Sequence, residues 1–477
     1  MKKLTIAFFA LALGTALFAQ QKPAVPTVDL SRLYSDELKA HMAAVRDAAM
    51  NSDYAWQQLA YLTENIGPRI TGSPQADAAA EYVAAEMRRI GLDAHLEKVM
   101  VPHWVRGAET AELVQWSHQP SGVRQKIVVT ALGGSTSTPA DGITTNVVVV
   151  RDYDELKALG REKVTGNIVL FNVKFDTRKS QAGRWSDAYS EAVQYRGDGA
   201  EAAAALGAVA SLVRSVGSAN FRLPHTGWSK PAGIPAGAVA SEDADLIADL
   251  AAQGNLRMHL TLTPQLLPEA PGYNVVADLR GSEHPEQVVV VSGHLDSWDL
   301  GTGAIDDGAG VVMAMQTANL FCSLKIQPKR TIRVIAWMNE ESGLRGGTGY
   351  AEAHQAELIN HIAGIESDSG AGHPLGFNAK ITAASADWLK PVQHALEPLG
   401  ADLINVVAHE VGADISPMSK AGVPSFGLSQ DARTYFDYHH TAADTLDKVD
   451  PRQLQENSAA MAVLALALAD MTEPLPR

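Results

Sequence analysis

The sequence is nearly devoid of cysteine, with Cys322 as the single cysteine among 477 residues. A lone cysteine cannot form an intrachain disulfide, so stability must come from core packing or a bound metal. Positive charge is also scarce, because 39 lysines and arginines stand against 54 aspartates and glutamates, a net charge of −15. Such an acidic chain lacks the basic surface that binds phosphate backbones. We therefore expect no disulfide framework and no nucleic-acid partner.

A long apolar run, Leu4 to Phe18, lies at the N-terminus directly after two lysines. It is shorter than the ~20 residues that span a bilayer, and a stretch with two prolines follows it. This layout predicts a signal peptide over residues 1–19, with cleavage after Ala19. The mature chain is then expected to be exported, either periplasmic or secreted, with no stable membrane association after signal cleavage.

Two different patterns divide the mature chain. Residues 109–268 contain short β-type runs separated by Gly, Pro, Asp and Asn clusters, for example 126–131, and one alanine-rich helix at 199–206. The triplet Arg196-Gly197-Asp198 in this part is interpreted as a turn. We therefore expect a β-rich unit at 109–268, inserted into a catalytic domain made of residues 20–108 and 269–477.

The second pattern predicts an α/β fold with a mostly parallel central sheet and helices on both faces. Helical spacing occurs at 36–50, 53–65 and 74–90, before the inserted unit. From 272 onward, strand-type runs alternate with helical stretches; the predicted strands are 287–292, 330–338, 361–366, 403–408 and 424–428. The last helix, 451–470, contains the apolar run 459–469, which is too short for a membrane span and predicts a buried core helix.

Histidine and acidic residues follow the predicted strands of the α/β part, where each strand ends. They are His294 and Asp296, then Asp306 and Asp307, then Glu340 and Glu341, then Glu366 and Asp368, and after the last strand His439 and His440. In an open α/β sheet, functional groups gather at the carboxyl ends of the strands. Carboxylates crowded into one cleft would repel one another unless a cation neutralised them, so the pattern predicts a metal site.

Imidazole and carboxylate ligands without thiolate suit zinc, with manganese or cobalt as substitutes. The three carboxylates of Asp306, Glu341 and Asp368, with one hydroxide, are balanced by two divalent cations. Glu340 stands next to a ligand but faces another direction, which is the place of a general base that accepts a proton from water.

The motifs that carry this chemistry resemble those of the co-catalytic zinc exopeptidases. They are Gly293 to Asp299 with Gly303 to Gly308, Glu340-Glu341 followed by Gly343 to Gly346, Glu366 to Asp368, and His439 to Thr441 with Asp444-Thr445. The family includes bacterial zinc aminopeptidases and the carboxypeptidase Q group, and the first motif is most similar to the latter. The 109–268 unit resembles the protease-associated domain of this family. Ala442-Ala443 differs from the His-Gly pair of the carboxypeptidase Q pattern, so substrate recognition there is expected to differ.

The resemblance implies two Zn²⁺ per chain. His294, Asp306 and Asp368 would hold one ion, and Asp306, Glu341 and His440 the other; His440 is preferred to His439 because the family ligand stands directly before Ser or Thr. Asp296 would orient His294, and Glu340 would be the base. The implied activity is removal of terminal residues from short peptides, above all dipeptides, and a homodimer is left open.

Several alternatives remain at this point. An aminopeptidase of the same family shares every metal ligand, so the residues do not decide which peptide end is trimmed. A metal-free, receptor-like binding protein on the same fold would lack several carboxylates that are present here. A one-zinc glutaminyl cyclase is disfavoured by the paired carboxylates and the inserted unit. No Gly-x-Ser-x-Gly motif supports a serine hydrolase.

Overall fold

The computed structural model describes residues 29–477, so the predicted signal peptide lies outside the described residues. The strands in this range are β1 (Asp93–Val105), β2 (Glu109–Gln115), β3 (Gln125–Ile127), β4 (Val129–Ala131), β5 (Ile143–Val150), β6 (Ile168–Phe171), β7 (Ala210–Arg214), β8 (Ala236–Val239), β9 (Arg257–Leu262), β10 (Gln265–Leu279), β11 (His284–His294), β12 (Arg330–Trp337), β13 (His361–Glu366), β14 (Pro374–Lys380), β15 (Leu403–Val406) and β16 (Ser425–Gln430).

The helices are α1 (Leu30–Leu33), α2 (Asp36–Ala49), α3 (Tyr54–Ala60), α4 (Pro74–Arg89), α5 (Tyr153–Val164), α6 (Thr177–Gln181), α7 (Trp185–Gly197), α8 (Gly199–Ala205), α9 (Ser241–Ala252), α10 (Ala309–Leu324), α11 (Arg345–Ala353), α12 (Lys390–Leu396), α13 (Ser416–Lys420), α14 (Tyr435–Tyr438) and α15 (Pro451–Asp470). Tyr61–Ile66 continues α3 as a π-helical turn, and a second π-helical turn, Ala304–Gly308, precedes α10.

The first sheet has the order β1-β10-β12-β11-β13-β16-β14-β15, and its central strands β12, β11, β13 and β16 are parallel. Alternate valines of β11 face opposite sides. Val289 and Val291 pack in the same core as α10 and α15, whereas Val288 and Val290 pack in a second core with residues of α11 and α13. The predicted α/β fold, with helices on both faces of a parallel centre, is confirmed.

Helix α15 is the buried core helix that the sequence predicted. It begins after Asp450, whose carboxylate accepts the N–H groups of Arg452 and Gln453, and Pro451 occupies its first turn. Its residues 459–469 are completely buried. Across residues 29–477, no helix combines the length and apolar character needed to cross a bilayer.

The second sheet has the order β3-β2-β9-β5-β6-β7-β8-β4, and its strands all lie between Glu109 and Leu262. The same segment carries helices α5 to α9, of which the sequence predicted only α8. Helix α5 shows why: Gly160, with φ of 60°, interrupts the helical pattern, and only Leu156 and Val164 are buried. The sequence predicted one strand at 126–131, but the structure has two. The Val128 N–H donates to Asp243 Oδ2 at 2.6 Å, and on either side of it β3 pairs with β2 and β4 pairs with β8.

Strands β1 and β10 form a long antiparallel ribbon that leads into the second sheet and back. Their pairing runs from Asp93 opposite Asp278 to Val105 opposite Gln265. Neither strand was predicted, because β1 contains charged residues on its exposed face and β10 contains Pro268 and Pro271. The domain limits 20–108, 109–268 and 269–477 stay a prediction; residue 269 lies inside β10.

Candidate metal centre

The structure brings the predicted site residues to one edge of the first sheet. His294 ends β11, Glu340 and Glu341 follow β12, and Asp368 follows β13. Parallel pairing places these strand ends side by side, with His294 opposite Trp337 and Ser292 opposite Glu366. Asp306 lies in the π-helical turn before α10, and His440 lies two residues after α14.

Two groups of donor atoms meet at Asp306. His294 Nε2 lies 3.1 Å from Asp306 Oδ1 and 3.5 Å from Asp368 Oδ1. On the other side, His440 Nε2 lies 3.2 Å from Asp306 Oδ2 and 3.0 Å from Glu341 Oε2. The two oxygens of Asp306 therefore face different histidines, which is the geometry of a carboxylate that bridges two cations.

His294 is held through its other ring nitrogen. Nδ1 lies 2.9 Å from the main-chain carbonyl oxygen of Asp296, which can only accept, so Nδ1 carries a proton and Nε2 is the ring nitrogen that faces Asp306 and Asp368. The Asp296 carboxylate has a different task. It accepts the backbone N–H groups of Asn339, Glu340 and Glu341 at 2.7, 3.1 and 3.3 Å. Asp296 thus orients the imidazole with its backbone and the Glu340-Glu341 loop with its side chain.

His440 is oriented by the segment that carries the second sheet. Its Nδ1 lies 3.3 Å from the carbonyl oxygen of Thr226, and its own carbonyl accepts the Thr226 N–H at 2.9 Å. His439 also lies close, since a ring nitrogen of His439, a ring nitrogen of His440 and a carboxylate oxygen of Asp306 all lie within 4.8 Å of one another. However, its ring packs against Tyr435 and Phe436, whereas His440 meets Asp306 and Glu341 directly.

Burial and mutual contact shift the ionisation of the whole cluster. Burial opposes protonation of His294, but its hydrogen bonds with Asp306 and Asp368 prevail and raise its pKa well above the ordinary value. Burial likewise opposes protonation of His440, and Glu341 and Asp306 raise its pKa well above the ordinary value. Burial would raise the pKa of Asp306, but the two histidines hold it well below its usual range. Each oxygen of the Asp306 carboxylate is therefore stabilised in its charged form by a neighbouring imidazole.

The donor set fits a pair of divalent cations. Glu341 Oε1 is buried without a hydrogen-bond partner in residues 29–477, and a buried carboxylate oxygen without a partner is costly. One nitrogen of His440 cannot satisfy both Asp306 and Glu341, which a cation between them would do. Two imidazoles and three carboxylates without thiolate are ligands that suit zinc.

Glu340 has no hydrogen bond from its carboxylate to any described residue, while its N–H is fixed by Asp296. Burial raises the pKa of Glu340 well above its ordinary value; His294 opposes this, and Asp368 and Glu341 add to it. The side chain lines a cleft of about 510 Å³ together with Asp306 and Asp368. A free carboxylate with a raised pKa beside the cluster is suited to accept a proton.

Two residues that the sequence did not single out as site residues fix the loop that carries Asp306. Arg69 is fully buried and donates to the carbonyl oxygens of Leu295, Thr302 and Gly303 at 2.7, 2.7 and 2.8 Å. The Asp444 carboxylate accepts the N–H groups at the start of the π-helical turn, both at 2.8 Å. Arg69 stands in the Gly67 to Gly72 loop, but its sequence carries no sign of this distant contact.

Arg196 is a further cleft residue that sequence reasoning missed. It lies in the last turn of α7, is 8% exposed, and is the only lysine or arginine among the described residues lining the cleft. Its Nη1 lies 3.2 Å from His440 Nδ1, and its Nε is buried without a hydrogen-bond partner in the described chain. The sequence predicted a turn at 196–198, but Arg196 and Gly197 belong to the last turn of α7 and only Asp198 separates α7 from α8, so the arginine side chain is held by a helix and reaches His440.

Comparison with known proteins gives consistent results. Residues 274–465 match peptidase family M28. Over 451 residues the chain is 36% identical to carboxypeptidase Q of Mus musculus, an alignment that covers 93% of this chain and 91% of the mouse protein. A crystal structure of a peptidase M28 precursor from Shewanella amazonensis has 34% identity and a TM-score of 0.87, covering 93% of this chain and 99% of that one. BSAP, a zinc aminopeptidase from Bacillus subtilis, shares the fold at 19% identity and a TM-score of 0.62, covering 86% and 94% of the two chains.

The parallel sheet and the cluster of histidines and carboxylates at its edge define, with these relatives, a metallo-exopeptidase. The chain belongs to peptidase family M28. The resemblance to the zinc exopeptidases is thereby confirmed, while the roles of single site residues stay predictions.

Proposed function

We propose that the protein is a dizinc exopeptidase that cleaves short peptides, above all dipeptides, and recognises their free carboxyl end. His294, Asp306 and Asp368 would hold one zinc ion, and Asp306, Glu341 and His440 the other. The observation that carries the proposal is the placement of the two Asp306 oxygens, each within 3.2 Å of a different imidazole. The zinc named for the Bacillus subtilis relative supports the choice of metal.

In the proposed hydrolysis, zinc would supply Lewis acidity and the protein would transfer the proton. Bound zinc ions supply Lewis acidity, which polarises a carbonyl group and makes water more acidic. Glu340 accepts the proton of the attacking water and donates it to the leaving amine as the peptide C–N bond breaks. Asp296 holds the Glu340 backbone in place during this transfer, through the N–H contact of 3.1 Å.

Arg196 supports recognition of the carboxyl end. When His440 Nδ1 carries its proton toward Thr226, the guanidinium cannot donate to that nitrogen, so both Nη1 and Nε lack an acceptor. A buried guanidinium without a carboxylate partner is a costly group unless a ligand supplies one. A peptide carboxylate matches the guanidinium in charge and in its two-pronged geometry.

The test compares dipeptides with a free carboxyl end against the same dipeptides with a C-terminal amide. With zinc present, we expect kcat/KM for the free acid to exceed that for the amide by ~10–100-fold, the worth of a charged hydrogen bond. Arg196→Gln should remove this preference and Arg196→Lys should retain part of it. Arg184→Gln is the control, because Arg184 is an exposed residue just before the same helix and pairs with Asp187.

Two results would contradict this proposal in different ways. Equal cleavage of acid and amide, with strong dependence on a free amino end, would make the protein an aminopeptidase of the same family. Absence of hydrolysis with zinc bound would favour a receptor-like role. We also propose that the chain is exported, which N-terminal sequencing of the mature protein would test by the expected start at Gln20.

A further inference from the structure

The main chain around His440 is bound by the β7–β8 loop, which comprises residues 215–235 of the second sheet's segment. The Thr226 N–H donates to the His440 carbonyl oxygen at 2.9 Å. Four residues earlier in the chain, the Phe436 carbonyl oxygen accepts the Ser218 N–H at 3.2 Å. The stretch from Phe436 to His440 is thus bound to this loop at both ends.

His440 has a backbone conformation that needs such support. Its φ is 59°, in the left-handed region that residues with a Cβ rarely adopt. A residue in this region persists only where surrounding contacts hold it, and both the N–H and the carbonyl oxygen of Thr226 contact His440. Thr226 is itself completely buried, and its hydroxyl donates to the Ala131 carbonyl oxygen at 2.9 Å. The position of His440 therefore depends on how the loop is docked.

Gly217 allows the loop to approach the His440 stretch closely. A Cβ added at Gly217 would lie 2.1 Å from the His225 ring and 2.3 Å from the Phe436 carbonyl oxygen. Side-chain carbons essentially never lie so close to other atoms, so any side chain at this position would force the two parts of the chain apart. His225 is 1% exposed and meets the His439 ring edge to face, with 5.7 Å between ring centres. The contact between loop and stretch is therefore tightly packed.

Two ligands proposed for the other zinc ion are held by different parts of the chain. His294 ends β11 and is oriented by the Asp296 carbonyl oxygen at 2.9 Å, while Asp368 follows β13. Strands β11 and β13 pair in the parallel centre of the first sheet. A shift of the β7–β8 loop would therefore move His440 and leave His294 and Asp368 in place.

We propose that the β7–β8 loop positions His440 and thereby sets the affinity of one of the two zinc sites. This inference rests on the proposed function, in which His440 binds one zinc ion and His294 the other. Gly217 acts through the close packing of the loop, and Thr226 acts through its main-chain contacts with His440. Partners that orient a metal ligand change metal affinity by ~10–100-fold when they are lost. The second sheet's segment would in this way contribute to the metal centre without supplying a ligand.

The experiment measures zinc binding to Gly217→Ala by elemental analysis, after dialysis against a series of buffered free zinc concentrations. The added methyl group should push the loop away from Phe436 and raise the Kd of one ion at least ~10-fold, while the Kd of the other stays unchanged. Gly197→Ala is the matched control. Gly197 also lies in the second sheet's segment, but a Cβ added there would lie 4.0 Å from the Trp228 ring, which is ordinary contact. Both ions should bind this variant as they bind the unaltered protein.

A double variant shows which ion is affected. His440→Ala should lose one ion by itself, so adding Gly217→Ala to it should not change the Kd of the ion that remains. If Gly217→Ala does not fold, Ser218→Ala replaces it, because it removes only the hydroxyl that donates to the Asp437 carboxylate beside Phe436. Ser218→Ala should weaken the same single ion by about 5-fold, the worth of one hydrogen bond.

The outcomes separate this inference from the proposed function. Unchanged binding of both ions in the folded loop variant, or equal weakening of both, would overturn the role given to the β7–β8 loop and leave the dizinc exopeptidase in place. Further weakening of the remaining ion in the double variant would also overturn it. An unaltered protein that binds fewer than two zinc ions would overturn the proposed function and this inference with it.

Discussion

Replacing Glu340 with glutamine separates a general base from its neighbouring metal ligand. The substitution keeps the side-chain volume and removes the group that accepts a proton. The carboxylate makes no hydrogen bond within residues 29–477, so glutamine leaves no protein group without a partner. The backbone N–H contact to Asp296 at 3.1 Å also remains. We therefore expect an intact fold and an intact zinc site.

The expected loss of rate in Glu340→Gln follows from the proposed role of Glu340 as the general base. General acid–base catalysis contributes ~10²–10⁴ in rate, or about 3–5 kcal/mol of barrier. The turnover of Glu340→Gln on a dipeptide with a free carboxyl end should fall by that factor while two zinc ions stay bound. Glu341→Gln should behave differently, because Glu341 Oε2 lies 3.0 Å from His440 Nε2 inside the donor cluster. Loss of the Glu341 charge should lower the affinity for one zinc ion by at least ~10²-fold.

The assay pairs elemental analysis of zinc per chain with turnover of each variant. The two glutamates are adjacent in sequence, so Glu341→Gln serves as the matched comparison for Glu340→Gln. Loss of zinc in Glu340→Gln would refute its assignment as the base, and so would near-normal turnover with both ions bound. Full zinc content in Glu341→Gln would refute its assignment as a ligand.

Three further predictions concern stability and support of the site. Chelation should lower Tm, because a metal at a thousand times its Kd adds about 4 kcal/mol to the folded state; an unchanged Tm would contradict a metal centre. Asp296→Asn places an NH2 group against backbone N–H donors, which should cost ~1–3 kcal/mol and lower turnover, both measurable on the purified variant. His361 is buried between Tyr350 and the Glu357 carbonyl, and burial lowers its pKa from 6.5 to about 4. The folded protein therefore binds a proton at His361 less readily than the unfolded chain. The contribution of His361 to the free energy of unfolding is complete above pH 6.5 and declines by about 3 kcal/mol as the pH falls to 4. Unfolding curves of the chelated His361→Gln variant should lack that decline.

Much of the first sheet and of the candidate site follows from local patterns in the amino-acid sequence. Four consecutive valines in β11 require a strand buried on both faces, and parallel strands bring their carboxyl ends to one edge. The sequence therefore predicts that His294, Glu341 and Asp368 lie close together, since each follows a run of this kind. The assignment of His440 to the same cluster came from the motif resemblance rather than from strand periodicity.

Which parts of the second sheet's segment reach this edge depends on how the whole chain packs, and local patterns do not predict it. Arg196 and Thr226 contact His440 across more than two hundred residues of chain, and Trp228 lines the catalytic cleft. The β1–β10 ribbon leads to the second sheet. Charged residues in β1 and prolines in β10 interrupt the pattern that would predict these strands. Periodicity records how one segment buries its own face, whereas contacts between distant segments depend on how the whole chain packs. The carboxylate recognition proposed above depends on such contacts between distant segments.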